Sequence, residues 1–412
     1  MENVRILNEE DTKREEFLSQ MFKNYYSSNF NKKNSPTNLE YREFGFFYWD
    51  LNKFVRHLGF LNFDSLLNHI ISNVPKHIYC SAARYENPNA PNMYSKSFMD
   101  CDLIFDLDID HIYTDCKEKH DKWKCKQCGH LGRGRAPRNC PKCNTFKFDV
   151  FTWECDECMK KAKDIIFLII DEFLIKDFGL DPMKDLYIVF SGQRGYHIHI
   201  EKDIIRNLDI NARRDVGDYI SGKELIPLFQ GFDKDAGKKP NINEIGWRGR
   251  IARFVIKFLQ DSKGEDLRKI LRIGKDIELV RKELIYQLIS ENPSWSYQGI
   301  GDQTWLKLIK TAAEKYGIVD QPVTIDIHRL IRLPGSLHGK TGFIVKKLTY
   351  TELETFDPFS DAQIFSGTKE IFIKETPQFR IGNEIFGPFK DKQIELPMNA
   401  AVFLLSKGLA NL

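Results

Sequence analysis

The sequence predicts an α+β fold in which a mixed-sheet core carries two additions, one rich in cysteine and one helical. Three observations lead to this prediction. Segments with strand-like residue patterns occur on both sides of a helical, charge-rich block. The run CDLIFDLDID (101–110) alternates apolar and acidic residues, as an amphipathic strand does. Six of the nine cysteines form three Cys-x-x-Cys pairs within one short stretch.

The predicted elements follow the chain in order. A helix within residues 1–36 precedes strand-like text from Glu43 to Phe60, and HIYCSAARY (77–85) predicts another strand. A helix follows the cysteines and ends near Gly179. DLYIVF and SGQRGYHIHIE then predict a strand, a tight turn and a strand. We therefore expect three parts: a mixed-sheet core (1–110, 159–202 and 319–412), a cysteine-rich insertion (111–158) and a helical subdomain (203–318).

The composition suits a globular protein. Apolar residues make up 42% of the chain, and 61 Lys+Arg against 58 Asp+Glu give a formal net charge of +3. This balance excludes a uniform positive coat for nucleic acid but leaves room for local basic patches. No apolar run approaches the length of a membrane span, and the charged N-terminus is unlike a secretory signal. We expect no membrane partner and a reducing, cytoplasmic location.

The acidic strand predicts a cation site. Asp106 and Asp108 share one strand face, with Cα atoms roughly 6.5–7 Å apart. Two such carboxylates can reach one divalent ion, and oxygen ligands favour Mg²⁺ or Mn²⁺, the ions that neutralise charge in phosphoryl transfer. A solvated strand face is the alternative, although aspartate is depleted in strands and aligned carboxylates repel one another.

Two glycine-containing turns predict anion sites. In SGQRGYHIHI (191–200) the glycines let a phosphate approach the backbone, where Ser191, Arg194 and His197 could contact it. An ordinary hairpin with one surface arginine is the alternative.

The second turn lies in RLIRLPGSLHGKTG (329–342) and carries Arg332 and His338. Its HGKT string is similar to a Walker A motif, but that motif needs glycine where Pro334 stands and a helix where FIVKKL predicts a strand. We therefore exclude a P-loop NTPase. A surface loop with scattered positive charge is the alternative.

The cysteine spacing predicts zinc. An odd number of cysteines without a signal peptide does not suit a disulfide framework. Four of them have the spacing of a zinc ribbon: Cys125, Cys128, Cys140 and Cys143. Residues 116–143 also carry a net charge of +7, which suits a nucleic-acid backbone. A solvated loop that uses zinc because it is too small for a core is the alternative.

Taken together, these segments resemble the small, catalytic subunit of archaeal and eukaryotic DNA primase, and are closer to the archaeal form. The matching strings are REFGF (42–46), HIYCSAARYENP (77–88), LIFDLDIDH (103–111), SGQRGYHIHI (191–200) and RLIRLPGSLHGKTG (329–342). The tail LPMNAAVFLLSKGLA is also similar to the family's C-terminal helix.

The resemblance assigns roles to single residues. Asp106 and Asp108 become catalytic metal ligands, and the family's spacing from the third carboxylate to the SLH histidine selects Asp320 over Asp326. Five residues become contacts to the nucleotide phosphates: Ser191, Arg194, His197, Arg332 and His338. Glu43 and Arg56 become weaker contacts near the sugar or the initiating nucleotide.

The resemblance also implies a second zinc site. The family carries a zinc knuckle after its aspartate strand, and four residues match it: Cys116, His120, Cys155 and Cys158. The four-cysteine ribbon nested inside this set departs from the usual pattern. We therefore expect two structural zinc ions, with a single site that uses alternative ligands as the rival.

The implied function is a DNA primase catalytic subunit that makes short RNA primers de novo on single-stranded DNA for replication. Whether it also makes DNA primers stays open, as does its preference between NTPs and dNTPs. The implied partner is the primase large subunit in a heterodimer, and the cofactors are Mg²⁺ or Mn²⁺ and Zn²⁺. The alternatives are a repair or end-joining polymerase or primase-polymerase of the same superfamily and, in another class, a non-catalytic zinc-ribbon protein that binds nucleic acid.

Overall fold

The structure is a computed structural model of the 412-residue chain. It describes residues 9–49, 54–112, 114–223, 225–232, 238–274, 276–316 and 326–412. The chain forms two compact units. The first comprises residues 1–163, 185–210 and 322–412, and the second comprises residues 164–184 and 211–321. The described residues contain both sheets and helices, so the predicted α+β class is confirmed.

The first unit contains the strands. They are β1 (Arg42–Phe47), β2 (Phe54–Leu58), β3 (His77–Tyr85), β4 (Phe98–Cys101), β5 (Leu103–Asp108), β6 (Lys122–Cys125), β7 (Leu131–Arg133), β8 (Phe148–Phe151), β9 (Leu186–Phe190), β10 (Gly195–Ile200), β11 (Leu330–Arg332), β12 (Lys346–Leu348), β13 (Thr368–Thr376), β14 (Phe379–Ile381), β15 (Glu384–Phe386), β16 (Phe389–Pro397) and β17 (Ala410–Asn411).

The helices are distributed along the whole chain. They are α1 (Glu9–Ser28), α2 (Phe63–Asn73), α3 (Lys117–His120), α4 (Asp156–Ile169), α5 (Asp203–Arg206), α6 (Ile210–Ser221), α7 (Gly246–Asp261), α8 (Gly264–Leu271), α9 (Ile277–Leu288), α10 (Asp302–Tyr316), α11 (Tyr350–Thr355), α12 (Pro358–Asp361) and α13 (Met398–Ser406). A π-helical turn, Ile170–Ile175, follows α4.

Two antiparallel sheets of the first unit position the site. One has the strand order β12-β9-β10-β5, and its register places His197 opposite Asp106 and Gly195 opposite Asp108. The other has the order β11-β3-β1-β2, with β4 also paired to β3. Because β11 pairs with β3, Arg332 lies opposite Tyr79.

The second sheet is held by an aromatic and aliphatic core. Its buried members come from α1, α2 and the sheet, and Phe22, Tyr26, Phe44, Phe46, Leu66 and Ile70 are all fully buried. Asn62 caps α2 by accepting a hydrogen bond from the Ser65 amide (2.9 Å), which satisfies an amide at the start of the helix. Burial of each large apolar side chain stabilises the unit by about 1.5–3 kcal/mol.

The predicted strand 101–110 is divided in the structure. It breaks at Asp102, and β5 ends at Asp108. The Asp108 carboxylate accepts a hydrogen bond from the Asp110 amide (2.9 Å), which turns the chain out of the strand. Asp110 therefore lies in a turn rather than on the strand face.

The second unit is helical and packs around an aromatic cluster. Arg250 on α7 is fully buried, lies 3.6 Å from the ring centroid of Phe173, and pairs with Asp177. The guanidinium is thus neutralised by a carboxylate and covered by rings, as a buried cation requires. Trp247 and Trp305 are also buried in this unit.

Candidate active site and metal clusters

One cleft in the first unit collects most of the predicted site residues. It is a cavity of about 170 Å³. Residues from both sheets line it, among them Tyr79, Asp106, Asp108, Asp110, Ser191, Arg194, His197, Arg332 and His338. The pairing of β5 with β10 places Asp106 and Asp108 beside His197, and β11 contributes Arg332.

The acidic wall of the cleft is formed by β5. Asp106 and Asp108 alternate with the buried Phe105 and Leu107, so both carboxylates lie on the cleft side of the strand. His197 Nε2 lies 3.4 Å from Asp106 Oδ1. Two carboxylates on one strand face can hold a divalent cation of the Mg²⁺ or Mn²⁺ type.

The glycine turn between β9 and β10 is packed tightly against the loop after β11. Gly192 has a φ of +84°, and a Cβ there would lie 2.6 Å from the Cβ of His338. Thr341 Oγ1 donates to the carbonyl of Gly192 (2.6 Å). Only glycine tolerates both the positive φ at position 192 and the close approach of His338. The tight packing of this turn therefore fixes the position of His338 at the cleft.

The basic wall is formed by Arg332 and His338. Arg332 Nη2 donates to His338 Nε2 (3.0 Å), and the guanidinium lies 4.5 Å from the Tyr79 ring centroid. Among the described residues its buried Nη1 has no hydrogen-bond partner, and no carboxylate is paired with this arginine. A buried, uncompensated guanidinium is costly, so this wall is suited to an anion supplied by a ligand.

His197 is held neutral in the cleft. Burial, reinforced by the positive charge of Arg332, lowers its pKa to about 3. Its Nδ1 is buried and has no partner among the described residues. At neutral pH the imidazole can therefore donate or accept a hydrogen bond without adding charge.

Arg194 lies at the cleft but is already paired. Its Nη1 lies 3.0 Å from both carboxylate oxygens of Asp121, and its Nη2 contacts Asp110. Burial lowers its pKa to about 10, which leaves it charged at neutral pH. Arg332 and Arg194 thus differ in kind, since only Arg194 has protein carboxylates against it.

Glu43 and Arg56 are not among the residues that line the cleft. Glu43 is fully buried and accepts two hydrogen bonds from Arg56, at 2.8 and 3.2 Å. Lys96 Nζ lies 3.5 Å from the same carboxylate, and its side chain is also fully buried. This ion-pair cluster joins β1, β2 and the loop before β4.

Of the two candidates for the third carboxylate, Asp320 lies outside the described residues. Asp326 is exposed and accepts a hydrogen bond from the His328 amide (2.9 Å). Asp326 is not among the residues that line the cleft.

The first predicted metal set is assembled by α3 and the start of α4. Cys116, His120, Cys155 and Cys158 present ligand atoms that all lie within 4.8 Å of one another. Cys116 Sγ is 3.4 Å from Cys158 Sγ, and Cys155 Sγ is 3.2 Å from His120 Nε2. Tetrahedral zinc with bonds of about 2.0–2.3 Å places its ligand atoms about 3.3–3.8 Å apart, close to these separations, so this donor set fits Zn²⁺.

The second set lies on the small sheet with the order β7-β6-β8. Cys125, Cys128, Cys140 and Cys143 also lie within 4.8 Å of one another, with sulfur separations of 3.4 and 3.7 Å. Both knuckles turn through a residue with positive φ, Gly129 (+71°) and Asn144 (+61°). Each Cys-x-x-Cys pair is therefore followed directly by a residue that tolerates the left-handed conformation.

Sequence reasoning missed two buried carboxylates, because nothing in a local pattern shows a pairing with a distant arginine. Asp102 lies between Arg42 Nη2 and Arg206 Nε, each 2.7 Å away. Asp121 joins Arg194 to His120, whose Nδ1 lies 2.8 Å from Asp121 Oδ1.

The buried histidines predict acid sensitivity of the fold. Burial lowers the pKa of His77, His199 and His338 well below the ordinary value. As pH falls through about 6.5, the unfolded chain gains protons that the folded state does not, so stability is present above this pH and lost below it. Between pH 7.5 and 5.5 each of these histidines lowers the free energy of unfolding by about 1.4 kcal/mol, and with His197, whose pKa is lowered in the same way, the loss is about 5.5 kcal/mol for four.

Urea unfolding at the two pH values measures this loss. Over this pH range the His199→Gln variant should lose about one quarter less unfolding free energy than the parent chain, since one proton acceptor of the unfolded state is gone. An unfolding free energy that stays constant between pH 7.5 and 5.5 would contradict the assignment of neutral buried histidines.

In the described part of the chain, no helix is both long and apolar enough to cross a bilayer.

A cleft with one carboxylate wall and one guanidinium wall is suited to a metal ion together with an anionic ligand. Comparison with known proteins gives the class. Residues 154–350 match the family model described as DNA primase small subunit. The chain is 32% identical to the DNA primase small subunit PriS of Methanothrix thermoacetophila, over 97% of this chain and 99% of the relative.

Two further relatives agree. The PriS proteins of Methanococcoides burtonii and Nitrosopumilus maritimus are 32% and 29% identical over 97% and 98% of this chain. The chain belongs to the DNA primase small subunit family, in its archaeal form. It is accordingly a DNA-directed nucleotidyltransferase of the primase class.

Proposed function

We propose that the cleft synthesises short primers de novo on single-stranded DNA by metal-dependent nucleotidyl transfer. One observation carries the proposal: Asp106 and Asp108 line the same cleft as Arg332, whose buried Nη1 has no partner among the described residues. The carboxylates suit the divalent ions, and the guanidinium suits the triphosphate those ions accompany.

In this proposal Mg²⁺ or Mn²⁺ held by Asp106 and Asp108 supplies charge neutralisation at the reacting phosphate. A primer 3′-hydroxyl attacks the α-phosphorus of the incoming nucleotide, and pyrophosphate leaves. Arg332 and His338 hold the triphosphate, while Ser191, Arg194 and the neutral His197 provide further contacts from the glycine turn. At initiation the first nucleotide supplies the hydroxyl, so two nucleotides are held at once.

Glu43 and Arg56 act in this proposal as supports. The buried Glu43 keeps Arg56 and Lys96 paired, and Arg56 remains about one third exposed. The exposed part of Arg56 is the part that could contact the sugar or the initiating nucleotide.

The third carboxylate can be assigned by two matched substitutions. If Asp320 completes the metal site, Asp320→Asn should lower primer synthesis by on the order of 10³-fold, since a lost metal ligand removes several kcal/mol of transition-state stabilisation. Asp326→Asn should leave synthesis within about twofold of the parent rate, because this exposed carboxylate caps a local turn. Steady-state synthesis on a poly(dT) template measures both variants, and the reverse ranking would reassign the ligand to Asp326.

The two cysteine-containing clusters are proposed to hold structural zinc. Four protein ligands close the coordination shell of each ion and leave no position for substrate. The segment 116–143, which contributes ligands to both clusters, is basic and has a net charge of +7. We propose that this segment contacts the template. The proposed protein partner is the primase large subunit, and the proposed product is RNA, with DNA as the alternative.

The test is synthesis from an unprimed template. The full chain is incubated with single-stranded DNA, Mn²⁺ and either NTPs or dNTPs, and products are resolved from the dinucleotide upward. We expect dinucleotides and longer products with NTPs. Extension of a supplied primer without any unprimed product would instead favour a repair-type polymerase, and binding of DNA without synthesis would favour a non-catalytic zinc protein.

A further inference from the structure

We propose that Asp121 is a positioning residue that couples the first metal cluster, Cys116/His120/Cys155/Cys158, to Arg194 at the nucleotide site. The inference rests on the proposed function, because it takes Arg194 to act on the bound nucleotide. It concerns a carboxylate that belongs neither to the cluster nor to the lining of the cleft.

The geometry of Asp121 joins the two sites directly. Its side chain is only 5% exposed, and Oδ1 lies 2.8 Å from His120 Nδ1. Both of its oxygens lie 3.0 Å from Arg194 Nη1. Oδ1 also accepts a hydrogen bond from the Trp153 amide (3.0 Å), which fixes the carboxylate from a third side.

On the cluster side, Asp121 occupies the position of an orienting carboxylate. His120 turns Nε2 toward Cys155 and Cys158, at 3.2 and 3.6 Å, which leaves Nδ1–H to donate to Asp121. A carboxylate in this position fixes the ring and raises its basicity as a ligand, and its loss weakens metal binding about 10- to 100-fold.

On the cleft side, Asp121 determines where the guanidinium of Arg194 lies. Nη1 also donates to the Trp153 carbonyl (3.1 Å), while Nη2 contacts Asp110 next to the aspartate strand. Without Asp121 the buried guanidinium would keep one carboxylate and would have to move toward it. A displaced Arg194 would weaken the nucleotide site by about tenfold, the value of one charged hydrogen bond.

The connection between the first metal cluster and Arg194 is made rigid by contacts of the short helix that precedes Asp121. Lys117, four residues earlier, is buried and donates to the carbonyls of Ile109 (2.5 Å) and Ile112 (2.6 Å). The short helix α3 is thereby fixed to the turn that follows Asp108. A shift of His120 therefore reaches Arg194 through the shared carboxylate rather than being absorbed by a loose loop.

The coupling has a reciprocal consequence. If nucleotide binding orders Arg194 against Asp121, it must also hold His120 in its ligating orientation, because linkage between two sites acts equally in both directions. Saturating nucleotide should then raise the zinc affinity of the first cluster, and we expect the tighter binding to appear as slower zinc loss. The second cluster, which does not contact Asp121 in the described structure, should lose zinc at an unchanged rate.

The experiment measures zinc release from the full chain to a chromogenic chelator, with and without Mg²⁺ and ATP or GTP. The variants are Asp121→Asn and, as a matched control, Asp149→Asn, an exposed carboxylate of the same insertion that pairs with Lys126 (3.1 Å). For Asp121→Asn we expect one zinc ion to leave about 10- to 100-fold faster, a KM for nucleotide raised about tenfold with a smaller change in kcat, and no slowing of release by nucleotide. The control should match the parent chain.

Each result separates the alternatives. Faster zinc release with an unchanged KM would overturn the coupling and leave Asp121 as a residue of the metal cluster alone. Unchanged release and unchanged KM would also overturn it. If Asp121→Asn does not fold, the parent chain and Arg194→Lys decide: nucleotide must slow release in the parent and not in the variant. A parent chain that binds no nucleotide would refute the proposed function itself.

Discussion

Asp106→Asn is expected to abolish nucleotidyl transfer while leaving the fold intact. Asparagine has the same shape but no charge, so the cation held on β5 loses a ligand, and synthesis should fall by on the order of 10³-fold or more. The thermal midpoint should change little, because asparagine keeps the size of the side chain and its ability to accept a hydrogen bond, and the facing His197 is neutral. Primer synthesis and circular dichroism of the same preparation measure the two effects.

A matched control lies four residues earlier on the chain. Asp102 is buried between Arg42 and Arg206, so Asp102→Ala removes the carboxylate that pairs with the buried Arg42, while Arg206 keeps Asp203 and Glu201. The loss should cost about 3–5 kcal/mol. Synthesis per folded molecule should persist, since Asp102 does not line the cleft. If Asp106→Asn stayed active, or Asp102→Ala lost synthesis without losing stability, the metal site would lie elsewhere.

The second large effect is expected from the metal clusters. The purified chain should carry two zinc ions, and each cluster should be removable by itself. Cys155→Ser should remove one ion and strongly lower the thermal midpoint, because its cluster includes the buried Cys116 and Cys158 and joins α3 to α4. Structural zinc contributes an apparent 10–16 kcal/mol or so to the folding of small zinc domains.

Cys125→Ser should also remove one ion, with a smaller loss of stability that is confined to the β6-β7-β8 sheet. Elemental analysis per folded chain, together with calorimetry, measures both variants. The control is Cys80→Ser, a buried cysteine outside both clusters, which should keep two ions. One zinc ion in the parent chain would support the rival of a single site with alternative ligands.

Several features of this molecule could be predicted from local sequence patterns. The period-2 alternation gave β5 and the common face of Asp106 and Asp108, because strand geometry depends only on neighbouring residues. The Cys-x-x-Cys spacing likewise predicted the four-cysteine set, the resemblance to a known family implied the second set, and the structure brings both sets together. Such patterns carry their own geometry within a few residues.

Other features depend on contacts between distant parts of the chain. A local pattern gives the face of a strand but not the depth of burial, so Asp102 and Asp106 looked alike although only Asp102 is neutralised by two arginines. Arg194 and Arg332 also looked alike as phosphate contacts. The difference between them arises from Asp121, which lies 73 positions from Arg194.

The measurement that tests the central claim most directly is a crystal structure of the chain with Mn²⁺ and a non-hydrolysable NTP, using the anomalous signal of manganese. We predict a manganese peak about 2.0–2.2 Å from carboxylate oxygens of both Asp106 and Asp108, with the triphosphate against Arg332 and His338. A peak at another carboxylate cluster, or a nucleotide bound away from Arg332, would contradict the assignment of this cleft as the site of primer synthesis.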